Sequence, residues 1–87
     1  MFTYTHHALT RKQQRAIPSI VECWLDEYGV EEYDHHGGIR IYFNKKSMKK
    51  MEKAFGTKFV RENKKYLSVY KIESVAERLT ITVGWIH

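Results

Sequence analysis

The chain predicts an α+β domain: a mainly antiparallel sheet of about four to five strands, two N-terminal helices, and a basic helical segment inserted before the last hairpin. Three observations carry this prediction. Ile20, Val21, Trp24, Leu25 and Tyr28 recur at helical spacing. Ile39, Ile41 and Phe43 alternate with Arg40 and Tyr42 at strand spacing. Two β-rich runs, 67–72 and 79–86, close the chain around the polar connection 73–78, which makes them a hairpin.

Taken in order, Phe2-Thr3-Tyr4-Thr5 reads as a short first strand of aromatic and β-branched residues. Thr5 can cap a helix over about 6–16. Pro18 ends it and opens the next. Ser19-Ile20-Val21-Glu22 has the form of a capping box, and Gly29 closes this second helix. Residues 30–34 read as a strand, and His35-His36-Gly37-Gly38 as the turn after it. Residues 39–43 form the next strand. Asn44 can cap a helix carrying Met48, Met51 and Phe55, which Gly56 interrupts and Thr57 restarts through Phe59, Val60 and Tyr66. In the last strand Leu79, Ile81, Val83 and Trp85 fall on one face. Gly84 there predicts a bulge or a close backbone approach.

At 87 residues, with 43% hydrophobic and 14% aromatic residues, the chain reads as one folded domain over 1–87. No apolar run reaches the roughly 18 residues of a membrane span. No secretory signal is visible, so a cytoplasmic location is expected. The lone Cys23 excludes an internal disulfide and is expected to be a buried thiol of the second helix.

Charge is uneven. Residues 45–65 hold nine Lys/Arg against Glu52 and Glu62, a local +7, while the rest of the chain carries −2. Lys45, Lys46, Lys49, Lys50, Lys53, Arg61, Lys64 and Lys65, with Lys58, form a basic tract. It predicts a polyanionic partner, RNA first, bound through its phosphates in a salt-dependent way. A solvated face opposite the Met48/Met51/Phe55 stripe is the bland reading.

A second constellation opens the chain. His7, Arg11 and Arg15 recur at intervals of four, so a helix places them on one face, with His6 alongside. Metal-independent RNA cleavage needs a proton acceptor, a proton donor and a cation at the phosphate. Histidine serves either proton role near neutral pH, and arginine holds the phosphate. His36 in the central turn and His87 at the last position are further candidates. Glu31, Glu32 and Asp34 beside two histidines lack metal-ligand spacing, so no metal is assigned and no motif calls for a cofactor. Tyr42 and Tyr70, opposite the apolar positions of their strands, can stack on bases or cover the sheet.

The segments His7-Ala8…Arg11…Gln14-Arg15-Ala16-Ile17-Pro18, Glu32-Tyr33-Asp34-His35-His36-Gly37-Gly38, Tyr42-Phe43-Asn44-Lys45 and Ile81-Thr82-Val83-Gly84 resemble small bacterial domains of the DUF4258 and BrnT-like type. More broadly, the chain is similar to the RelE/ParE toxin superfamily. That resemblance implies a RelE-like fold, ribonuclease activity in some members, and an acidic antitoxin as partner. His7, Arg11 and Arg15 match the N-terminal pattern, and His87 lies near a position often functional there. Ala16 stands where the pattern has glycine. Trp85 and Ile86 stand where polar or basic residues are usual. The resulting expectation is a small basic domain that binds or cleaves RNA. The alternative is a non-enzymatic nucleic-acid-binding or protein-interaction module working through helices 45–65.

Overall fold

A computed structural model describes residues 4–86. The fold is α+β. Helices α1 (His6–Gln14) and α2 (Ser19–Tyr28) precede strands β1 (Val30–Tyr33) and β2 (Gly38–Tyr42). Helices α3 (Lys45–Phe55) and α4 (Thr57–Glu62), a 3₁₀ turn (Lys64–Ser68), and strands β3 (Val69–Ser74) and β4 (Thr80–Trp85) follow. The four strands lie in chain order, β1-β2-β3-β4, and every neighbouring pair is antiparallel. The basic helices therefore fill the connection between two adjacent strands.

Register decides what is buried. Ile41 pairs with Lys71, and Lys71 with Val83, so these three share one face. That face receives Val21 and Leu25 of α2, Met51 of α3 and Val60 of α4, which form one buried cluster with Ile39, Val69 and Val83. Trp24, Tyr28, Phe55 and Phe59 extend it outward as a chain of ring contacts at 4.7–5.6 Å between centroids. Such aromatic pairs add about 0.5–1.5 kcal/mol each beyond burial.

Several expectations change. Residues 2 and 3 of the first strand lie outside the described residues. Tyr4 makes a single parallel bridge to Thr80, and Thr5 N–H donates to the Thr80 carbonyl at 2.9 Å. The capping box at Ser19 does not form. Pro18 is the N-cap, no side chain caps α2, and Glu22 is fully buried in an ion pair instead. Cys23 and Ile20 are exposed, because α2 turns Val21, Glu22 and Leu25 inward. Residues 67 and 68 belong to the 3₁₀ turn, and β3 runs on to Ser74.

The last strand departs most from its pattern. Ile72 pairs with Thr82 but Glu73 with Thr80, so Ile81 is an extra residue on β4. The bulge inverts the alternation below it: Thr80 is buried and Ile81 is exposed. The predicted close approach does occur at Gly84. A Cβ there would stand 2.6 Å from the Arg15 guanidinium and 3.2 Å from the Tyr70 ring. Ala16 holds a left-handed φ of 52°. Glycine is the residue such a φ favours.

Candidate nucleic-acid interface

The basic surface is built by caps. Asn44 accepts from Ser47 N–H at 2.9 Å, and Ser47 Oγ accepts from Asn44 N–H at 3.1 Å, a reciprocal pair that fixes the start of α3. From that start the helical period carries Ser47 and Met51 into the core. Lys45, Lys46, Lys49, Lys50 and Lys53 are left on the solvent side. Gly56, with φ of 93°, redirects the chain into α4. Val60 and Leu67 anchor α4 and the 3₁₀ turn, which leaves Lys58, Arg61, Lys64 and Lys65 outside. All nine cations of the tract are exposed. Their one ion pair among the described residues, Lys58–Glu62 at 3.9 Å, joins two well-exposed side chains and neutralises little. The first turn of α3 holds no acid, so Lys45 and Lys46 add to the positive end of the helix dipole.

Within this surface, α3, α4 and the 3₁₀ turn border an open cleft of about 280 Å³. Met48, Val60 and Leu67 form its apolar floor, and Glu52, Thr57, Arg61 and Lys64 its polar rim.

The N-terminal constellation is only partly assembled. Thr5 caps α1 by accepting from Ala8 N–H at 3.1 Å. His7 and Arg11 lie one turn apart and are exposed. Arg15 is the C-cap of α1, its N–H still donating to the Arg11 carbonyl at 2.9 Å, but its guanidinium is engaged by β4. The Arg15 guanidinium donates to the Val83 carbonyl at 2.6 Å, while its own carbonyl accepts from Trp85 Nε1 at 3.3 Å. Arg15 thus ties the end of α1 to β4. His36 lies in the β1–β2 turn, where its backbone N–H donates to Asp34 Oδ1 at 2.7 Å. Gly38 N–H donates to the same oxygen at 2.9 Å. These two bonds hold the Asp34 carboxyl below its usual pKa. No hydrogen bond or ion pair among the described residues joins His36 to His7, Arg11 or Arg15. His87 lies outside the described residues.

The strand tyrosines flank an arginine. The exposed Arg40 guanidinium lies 5.3 Å from the Tyr42 ring and 5.7 Å from the Tyr70 ring. Tyr42 and Tyr70 are half-buried rather than open. Tyr42 Oη donates to Glu32 at 3.0 Å, which raises its pKa.

The sequence reading missed two buried ionic clusters. Lys71 is fully buried, with Nζ 2.6 Å from Asp26 and 2.9 Å from Glu73. Glu73 also meets Arg78 Nε at 2.8 Å, which strengthens the guanidinium's hold on its proton. The second cluster centres on Glu22. It accepts from Tyr4 Oη at 2.6 Å and meets Lys12 Nζ at 2.7 Å. Burial, then the Glu22 carboxylate, raises the Tyr4 pKa. The available signal was Val69-x-Lys71-x-Glu73, which alternates onto the buried face. These clusters lock α1 and α2 to the sheet.

Comparison with protein-family models, curated proteins and solved structures finds no match to this chain, so the RelE/ParE resemblance rests on the motifs themselves.

Proposed function

We propose that this chain binds RNA, with the phosphate backbone lying along the exposed cations of α3, α4 and the 3₁₀ turn. One observation carries the reading: all nine cations of 45–65 are exposed, with almost no compensating acid. Lysines spaced over a rigid helical scaffold neutralise phosphates and release counterions, and this supplies sequence-independent affinity. The test is fluorescence anisotropy of a labelled single-stranded RNA titrated across a salt series. Log affinity should fall linearly with log salt, by about 0.7 per phosphate neutralised. Lys45→Glu/Lys49→Glu/Lys53→Glu should abolish binding. Salt-independent affinity, or full binding by the reversed variant, would remove RNA from the reading.

Cleavage is a second reading, supported by exposed His7 and Arg11 one helical turn apart. It makes the chain a RelE-like, metal-independent endoribonuclease. The integrity of the RNA in the same titrations tests it. Cleavage lost in a folded His7→Ala or Arg11→Ala variant that still binds supports catalysis; intact RNA with wild type leaves binding alone.

A further inference from the structure

A surface that worked on phosphates alone would need no recess. Here the basic tract holds one, with Met48, Val60 and Leu67 as its apolar floor and Arg61 and Lys64 on its rim. We infer that this cleft receives one unstacked nucleobase of a single-stranded RNA, and that Glu52 favours a base presenting an amino group. The inference rests on the RNA-binding reading and names the form of RNA bound.

Size, charge and polarity each limit the occupant. About 280 Å³ lies just below the roughly 300 Å³ at which pockets for drug-sized ligands begin, room enough for a single ring system. The rim carries two cations, and seven more belong to the same exposed tract of 45–65, so a polyanion brings the guest in. Arg61 and Lys64 can hold the phosphates on either side of an inserted base. Bases in a duplex stay stacked, whereas single-stranded RNA splays them out to be read on their Watson–Crick edges. The apolar floor of Met48, Val60 and Leu67 gives a base face a surface to pack on.

Glu52 is the odd member of the rim. Among the described residues it is the only acid lining the cleft, and it makes no ion pair with any of them although Arg61 and Lys64 share the rim. A carboxylate weakens phosphate attraction, so its value in such a place is as an acceptor. It accepts from the exocyclic amino group of cytosine and opposes the carbonyl-rich edge of uracil.

The experiment is anisotropy of labelled oligocytidine and oligouridine of equal length, with wild type, Glu52→Ala and Thr57→Trp. Both substitutions are at exposed positions. Wild type should prefer oligocytidine about tenfold, the value of a good acceptor–amino pair. Glu52→Ala should bind both oligomers at least as tightly as wild type, because an acid is removed, and the preference should vanish. Thr57→Trp, which fills the cleft from its rim, should lose the preference and keep the salt dependence. Equal binding of both oligomers by wild type, with normal salt dependence, overturns the inference and leaves RNA binding standing. A preference that persists in both variants overturns it also, because selection then lies elsewhere. Absence of binding to either oligomer removes RNA binding and this inference together, leaving an acidic protein as the partner class.

Discussion

Two groups of lysines in one small domain have opposite fates. Lys71 and Lys12 lie under α2, within 3 Å of carboxylates, and each sits almost entirely out of water. The lysines of α3 and α4 stand in solvent with almost no counter-charge. The same side chain is a structural member in the first setting and a free charge in the second. Dielectric environment makes the difference: a pair taken out of water interacts strongly, and removing one partner strands the other. An exposed lysine shares its field with water and salt. Stability should therefore respond to the first group and ligand binding to the second.

The largest expected effect follows from Lys71. Lys71→Met leaves the Glu73 carboxylate buried without one of its two cations. The cost should be about 3 kcal/mol, the low end for breaking a buried pair, because Arg78 still meets Glu73 and Asp26 can turn to water. Urea denaturation measures it. Lys71→Met/Glu73→Leu should recover part of the loss, since replacing both partners by apolar groups removes the stranded charge. A single variant as stable as wild type would mean the cluster contributes nothing to folding.

The legibility of the fold follows the same division. Elements set by local chemistry could be read: Thr5 and Asn44 act as caps, Gly56 breaks the basic helices, and Ile39, Ile41 and Phe43 face the core. Elements set by distant partners could not. Ser19 and Glu22 have capping-box spacing, but Lys12 and Tyr4 draw the Glu22 carboxylate into the interior, and the cap is lost. The bulge at Ile81 has no local signature, because Leu79, Ile81, Val83 and Trp85 alternate perfectly as letters. In the candidate site, the exposed tract was legible from charge density. Its cleft was not, since α4 and the 3₁₀ turn had first to fold back over α3. The spacing of His7, Arg11 and Arg15 was legible, but the capture of the Arg15 guanidinium by the Val83 carbonyl, 68 positions away in the chain, was not.

The end of α1 supplies the second prediction. Ala16 occupies φ of 52°, where a Cβ costs roughly 1–2 kcal/mol. Ala16→Gly relieves this and gives back part through the greater freedom of glycine in the unfolded chain. A net gain of about 1 kcal/mol should appear as a raised midpoint in urea. A destabilised variant would mean the turn tolerates alanine without strain.

Tyr4 lies third. Tyr4→Phe removes the hydrogen bond to a buried carboxylate and the one accepted from Lys12 Nζ, and should cost about 1–2 kcal/mol near neutral pH. The folded protein raises the Tyr4 pKa above its unfolded value of about 10. The stabilisation is therefore fully present below pH 10 and disappears as pH rises beyond it, where the unfolded chain sheds the phenolic proton first. Thermal unfolding of both proteins from pH 8 upward should show their difference shrinking above pH 10. A constant difference would show that the phenol's ionisation is not linked to folding.

The smallest effect on stability belongs to the exposed lysines. Lys45→Ala/Lys49→Ala/Lys53→Ala should change unfolding free energy by about 0.5 kcal/mol or less. The contributions oppose one another. Removing Lys45 relieves repulsion at the positive end of α3, and removing Lys53 forfeits a favourable charge in its last turn. Alanine restores helix propensity at all three. The same variant should flatten the salt dependence of RNA binding, by about 2 in slope if each lysine neutralises one phosphate. Normal folding with a flattened slope would separate the two lysine groups by function. A large loss of stability would instead place the α3 lysines with Lys71, as members of the fold.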